Sequence, residues 1–282
     1  METILRRLPA CLIMLEIAFN EIMHPLDILK NFILFSGDSQ KPIKILAGYH
    51  QYFAVRKAVD KAKVATQFDG KGGVFWHTQG SGKSLTMVML AKYILMELAS
   101  CNPRVVIVTD RKELDGQIAT TFAHTRLNPA RATSGRHLVD LVKSGKADVI
   151  TTIINKFNTA ERLDTKNYSK NVFVLIDESH RSNYGSMASK MRTVFPNACY
   201  IGFTGTPLMK HEKNTMTKFG KLIHKYTIKD GVDDGAIVPL IYEGRFVEQR
   251  VDEENIDLWF KQTTKRLTDS QKEDLRKKWS SI

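Results

Sequence analysis

The sequence predicts an α/β lobe of three layers, a mostly parallel sheet with helices on both faces. Three observations carry that prediction. Short, wholly apolar runs alternate with segments of helical pattern. A glycine-rich turn stands between one such run and a helix. Acids and hydroxyls collect just after the runs, at the carboxyl ends of the strands, where parallel sheets place their function.

Taken in order, the chain opens on Arg6-Arg7 and an apolar run from Leu8 to Leu15. Pro9 and Glu16 interrupt it, and it is too short to span a bilayer. Leu8-Pro9-Ala10-Cys11 has no apolar stretch before its cysteine, so it is not a lipoprotein cleavage box. The run reads as a structural helix, and the expectation is a cytoplasmic protein with no membrane partner. Ser36-Gly37-Asp38-Ser39 is a loop. From Ala47 to Ala65, Phe53, Ala54, Ala58 and Val59 recur at helical spacing. Asp69 to Gly73 makes a loop, and Gly73-Val74-Phe75-Trp76 starts a strand. A helix follows from Lys83 to Ala99. Val105–Val108 is a strand, Glu113–Phe122 a helix, and Asp148–Thr152, Asn171–Ile176 and Ala198–Phe203 are further strands. Both faces of such unbroken apolar runs are covered, which is why the sheet is read as parallel.

Composition sets the outer limits. Of 282 residues, 43% are hydrophobic and 26% charged, which excludes a wholly disordered chain and a many-span membrane protein. A chain of this length needs no disulfide or metal staple. Cys11, Cys101 and Cys199 are odd in number and far apart, so no zinc or disulfide framework follows and a reducing compartment is expected. Lys and Arg total 42 against 30 Asp and Glu, a net +12. That excess suits a phosphate-backbone partner, or solubility alone. Past Pro207 the composition shifts: six lysines (210, 213, 218, 221, 225, 229) face one acid, Glu212. Val238–Phe246 is a candidate strand of a new module, and Ile256–Ile282 is charged and helix-like.

Three constellations carry chemistry. The first is Trp76-His77-Thr78-Gln79-Gly80-Ser81-Gly82-Lys83-Ser84. Strand, glycine-rich turn and helix in succession make a phosphate-binding loop. Gly80 and Gly82 let backbone N–H groups approach phosphate oxygens, and the helix N-terminus favours an anion. Lys83 suits the β- and γ-phosphates, and the Ser84 hydroxyl suits Mg²⁺. The strict G-x-x-x-x-G-K-[ST] pattern has glycine where this chain has His77. The second is Val172–Ile176 followed by Asp177-Glu178-Ser179-His180. Adjacent acids on a buried strand call for a cation. Asp177 suits a Mg²⁺ ligand, Glu178 a general base on water, and His180 a link to a neighbouring motif. Read alone, the acids also fit a helix N-cap. The third is Ile201 to Leu208, whose Thr204 and Thr206 flank Gly205. They can bond the acids and relay nucleotide state, or simply end a strand.

Together these motifs resemble helicase superfamily 2. More narrowly, Phe75–Ser84, Val108–Leu114, Asp177–Ser182 and Gly202–Leu208 resemble the restriction (motor) subunit of type I restriction-modification enzymes, over residues 45–250. His77 matches that family's own variant of the loop. The resemblance implies a RecA-like P-loop NTPase lobe that uses ATP and Mg²⁺. It implies ATP-dependent translocation of double-stranded DNA before cleavage, and the modification and specificity subunits as partners. It places Gln51, in Tyr49-His50-Gln51-Tyr52, at the adenine. It places Thr109, Asp110 and Arg111, then Thr151, Thr152 and Lys156, at the nucleic-acid backbone. The family's nuclease carries a Pro-Asp pair that this chain lacks, and its second lobe supplies an arginine finger not found here. The organisation expected is therefore a fragment: 1–44 the end of a preceding domain, 45–235 the ATP-binding lobe, 236–282 the start of a second lobe. The rival readings are another superfamily 2 helicase, or a non-catalytic nucleotide- or DNA-binding module.

Overall fold

The structure, a computed structural model, describes residues 25–36, 41–110, 112–125, 127–162, 166–177, 179, 184–206, 217–239, 243, 253–265 and 267–279. The expected helix over Leu8–Leu15 lies outside them, as does most of the candidate strand Val238–Phe246. The chain divides into two compact units, Met1–Pro239 and Leu240–Ile282.

The first unit begins with α1 (Pro25–Asn31), β1 (Ile33–Ser36) and β2 (Ile43–Leu46), the two strands forming an antiparallel pair. Then come α2 (Tyr49–Ala65), β3 (Lys71–His77), α3 (Lys83–Glu97), β4 (Arg104–Thr109), α4 (Lys112–His124), β5 (Ala130–Arg131), α5 (Gly135–Ser144), β6 (Val149–Ile153), α6 (Lys156–Arg162), β7 (Val172–Ile176), α7 (Tyr184–Val194), β8 (Cys199–Thr204), β9 (Leu222–Tyr226) and α8 (Ile228–Asp233). The second unit holds α9 (Glu253–Thr263) and α10 (Asp269–Trp279). Among the described residues, no helix is long and apolar enough to cross a membrane.

The seven-stranded sheet runs β5-β6-β4-β7-β8-β3-β9, and all its neighbouring strands pair in parallel. Its strands are apolar on both faces because two cores flank it. Val105, Ile107, Phe173 and Leu175 join one core with Tyr52, Phe75 and Met87. Val106, Val108, Val174 and Ile176 point the other way, into a core with Phe157, Phe195 and Tyr200. The two-residue alternation of side chains along each strand divides them so. Ile28, Phe32 and Leu34 belong to the first core, so α1 and β1 pack with the lobe. Phe75 stacks on Phe203 at 4.4 Å and 4°, which fixes β3 against β8.

Glycine makes the position of β3 possible. A Cβ on Gly72 would lie 2.5 Å from Ile201, and one on Gly73 would lie 2.5 Å from Ile223 and 2.8 Å from the Lys221 carbonyl. A bulge in the β3–β8 register falls at the same place. Sequence patterning missed β9, an edge strand inside the lysine-rich stretch. Its burial alternates and it carries His224 and Lys225, so no apolar run marks it.

Candidate nucleotide site

The order β7-β8-β3 puts the ends of three motif-bearing strands side by side. β3 ends at His77, and residues 78–82 turn into α3. Gly80 (φ +83°) and Gly82 (φ +78°) take the left-handed backbone that glycine allows at little cost. The loop is held through its carbonyls. The Thr78 carbonyl accepts from Ser81 Oγ at 2.6 Å and from Lys83 Nζ at 3.4 Å. The Gly82 carbonyl accepts from Gln51 Nε2 and from Thr86 Oγ1, each at 3.1 Å. The Ser81 carbonyl lies 3.2 Å from His50 Nε2, and since a carbonyl only accepts, that nitrogen carries the proton.

Gly80, Gly82, Lys83, Ser84 and Asp177 line one cleft of about 580 Å³. Asp177 is buried at the end of β7, its backbone N–H bonded to the Val108 carbonyl at 3.0 Å. Glu178 and His180 lie outside the described residues. Between them, Ser179 donates its N–H to the Phe203 carbonyl at 2.8 Å and ties the acidic motif to β8. The hydroxyls of Thr204 and Thr206 lie 3.3 Å apart, and the Thr206 N–H donates to Thr204 Oγ1 at 3.3 Å. A Cβ on Gly205 would come within 3.1 Å of Lys83 Nζ, so this turn closes on the lysine ammonium. An ammonium, a hydroxyl, a carboxylate and a helix N-terminus on one cleft form a donor set that fits a nucleotide phosphate chain with a hard divalent cation. Ser36 and Ile45 from the β1–β2 pair and Thr121, His124 and Thr125 at the end of α4 complete the wall. No motif marked those five, because only the fold brings them there.

Several expected residues are buried or bonded within the lobe. Gln51 is buried at 6% exposure, and its amide oxygen accepts from the Gly48 N–H at 2.9 Å. Its amide nitrogen donates to Gly82 and, at 3.2 Å, to Thr86 Oγ1. The amide is thus bonded to the loop and to the start of α2. Thr109, Thr151 and Thr152 have no accessible surface. Thr109 ends β4, Thr151 and Thr152 lie within β6, and in this structure their side chains are covered. Asp110 is half-buried, Arg111 lies outside the described residues, and the half-buried Lys156 donates its ammonium to the Ala132 carbonyl. Of the loop residues, Gln79 is exposed, whereas Thr78 and Ser81 are buried.

His77, which stands where the strict motif has glycine, is fully buried. Its Nε2 lies 3.0 Å from His224 Nδ1, while its Nδ1 has no hydrogen-bond partner. Burial, with His224, His50 and Lys83 nearby, pushes His77 down to about 2. Burial and the charge of Lys57 push His224 down to about 4. Both rings are neutral at ordinary pH. The His50 ring stacks on Tyr226 at 4.0 Å and 13°. The hydroxyls of Tyr49 and Tyr226 both donate to Asp234 Oδ2, at 2.7 and 2.8 Å. Sequence reasoning singled out His77 but not His224, Tyr226 or Asp234, whose spacing forms no motif.

A parallel sheet with helices on both faces and a phosphate loop between β3 and α3 define a RecA-like P-loop NTPase lobe. Residues 50–273 match the SWI2/SNF2 ATPase family, and the chain belongs to that family. It is similar to the type I restriction enzyme HindI endonuclease subunit of Haemophilus influenzae, 38% identical over 255 residues that cover 81% of this chain and 24% of that protein. It is also similar to the SsaAORF53P endonuclease subunit of Staphylococcus saprophyticus, 33% identical over 222 residues, 74% of this chain and 23% of that one. The chain thus spans about a quarter of the length of the curated relatives it matches. Among solved structures, the type ISP restriction-modification enzyme LlaBIII bound to DNA shares the fold, with a TM-score of 0.51 at 13% identity over 70% of this chain and 16% of that one.

Proposed function

We propose that residues 45–235 are the ATP-binding motor lobe of a type I restriction-enzyme R subunit, which drives ATP-dependent translocation of double-stranded DNA before cleavage. One observation carries this reading: Lys83, Ser84 and Asp177 face one cleft, and the turn at Gly205 closes on the Lys83 ammonium. Identity to endonuclease subunits across most of the chain supports the narrower assignment. Residues 236–282 would begin a second lobe, and residues 1–44 would close a preceding domain, with α1 and β1 packed into the lobe's core and Ser36 on the wall of its cleft.

In this reading the N–H groups of residues 78–84 and the Lys83 ammonium bind the phosphate chain. Ser84 and Asp177 would hold Mg²⁺, which supplies charge neutralisation on the transferred phosphoryl group. Glu178 orients the attacking water and takes its proton. His180, Thr204 and Thr206 report nucleotide state to the DNA side, where Arg111 and Lys156 supply charge for a phosphate backbone. Gln51 serves the nucleotide by holding the loop. The +12 charge fits a polyanion. The modification and specificity subunits would be the protein partners.

Lys83→Ala is the direct test. Lys83 is only half-buried, so its loss removes a charge contact and leaves the core intact. Calorimetry should show ATP affinity reduced at least about 100-fold, from loss of charge-assisted hydrogen bonds of about 1.5–3 kcal/mol each. A folded variant with unchanged affinity would sink the assignment.

A further inference from the structure

We propose that Asp234 is a positioning residue of the phosphate loop, acting through Tyr226 and His50 on the Ser81 carbonyl. The inference rests on the reading of the loop as a nucleotide site, and it concerns Asp234 and Tyr226, which lie in no recognised motif.

The connection is continuous. One oxygen of Asp234 accepts both tyrosine hydroxyls, at 2.7 and 2.8 Å, which fixes the rings of Tyr49 and Tyr226. Tyr226 is buried, and burial followed by the Asp234 hydrogen bond raises its hydroxyl far above the ordinary range. It therefore stays protonated and donates. Its ring stacks on His50 at 4.0 Å and 13°, setting the plane of the imidazole. Burial lowers His50 below its usual value, so the ring is neutral, with its single proton on Nε2, aimed at the Ser81 carbonyl.

That carbonyl matters because a trans peptide points its C=O and N–H in opposite directions. There is no cis peptide bond among the described residues. Holding the Ser81 carbonyl on the His50 side turns the Gly82 N–H the other way. Gln51 and Thr86 hold the next carbonyl, Gly82, in the same manner, and so set the Lys83 N–H. Gly82 is free to rotate as no other residue would be, with φ +78° and a half-buried backbone. A loop of glycines that must present N–H groups to phosphate needs its carbonyls tied, and His50 and Gln51 are the ties. The second oxygen of Asp234 is buried with no hydrogen-bond partner. Asp234 also stands five residues before Pro239, where the first unit ends, so the last stretch of this unit is wired to its nucleotide loop.

The test uses this 282-residue chain, a non-hydrolysable ATP analogue with Mg²⁺, and ¹⁵N-glycine labelling. Asp234→Ala should weaken analogue binding about tenfold, as expected for losing hydrogen bonds to a charged group. Asp234→Asn keeps an oxygen that accepts both hydroxyls and should restore affinity to within about threefold. In ligand-free protein, Tyr226→Phe should shift the Gly80 and Gly82 amide resonances while leaving those of Gly116 and Gly145 in place. Tyr226→Phe keeps the ring and decides the matter if Asp234→Ala does not fold. Unmoved Gly80 and Gly82 resonances in Tyr226→Phe, or wild-type affinity in folded Asp234→Ala, would overturn the proposal. Failure of the wild-type chain to bind the analogue would instead count against the nucleotide reading, and the ligand-free resonances would still judge the positioning role.

Discussion

Replacing His77 with glycine restores the strict phosphate-loop pattern, and the structure predicts that this harms the protein. The ring is fully buried, edge-on to Phe75 at 5.6 Å and bonded to His224. Deleting a buried aromatic ring costs about 3–5 kcal/mol. Glycine in a strand adds about 0.5–1 kcal/mol. His224 loses its ring partner, which costs about 1–3 kcal/mol for a poorly solvated group. Against this, the unpaired His77 Nδ1 disappears, which returns a similar amount. The net loss is about 4 kcal/mol, a large fraction of the roughly 5–15 kcal/mol that a domain has. Urea unfolding followed by circular dichroism at pH 7.5 measures it: the midpoint should fall with the slope unchanged. His77→Phe keeps the ring and should recover most of the loss. A cost below about 1 kcal/mol for His77→Gly would refute the reasoning, since it would mean that this position behaves as an ordinary flexible loop residue.

The lowered histidines also set a pH dependence. The unfolded chain takes up protons near 6.5 whereas folded His224 waits until about 4 and His77 until about 2, so their stabilising share is complete above 6.5 and shrinks as pH falls below it. Each contributes a slope of about 1.4 kcal/mol per pH unit between 6.5 and 4, and His224→Gln should flatten the measured slope; an unchanged slope would count against the burial argument. Of the two thiols among the described residues, Cys101 is exposed whereas Cys199 is buried, its thiol pushed up to about 12 by burial. A thiol reagent should therefore label Cys101 in the native chain and reach Cys199 only on unfolding, as mass spectrometry would show. If the DNA reading holds, duplex affinity measured by anisotropy should fall steeply with salt and show little sequence preference, and Arg111→Ala should weaken all sequences about equally. Salt-insensitive binding would argue for a different partner.

Much of the lobe was legible because its signals are local. Val105–Val108 and Val172–Ile176 are unbroken apolar runs, and only a strand covered on both sides accommodates them. Glycines at 80 and 82, a lysine and a hydroxyl after an apolar run mark a phosphate loop, because the backbone conformation and the helix start are decided within a few residues. Asp177 was legible for the same reason, as an acid delivered by a buried strand.

Tertiary structure alone decided the rest. Chain order separates Lys83 from Asp177 and Gly205; the crossovers that order the sheet β7-β8-β3 set Lys83 and Asp177 on one cleft and bring Gly205 against the lysine ammonium. Thr109, Thr151 and Thr152 look like a rim of hydroxyls in sequence, yet helices and neighbouring strands close over them, and burial is a property of what packs on a residue rather than of the residue. Tyr49 and Tyr226 meet on Asp234 because α2 and β9 are brought together beside β3, an encounter with no periodicity or spacing to announce it. Residues fix which backbone shapes and charges are available at each point. Packing across the sheet fixes which of them face one another, and a site is made of residues that face one another.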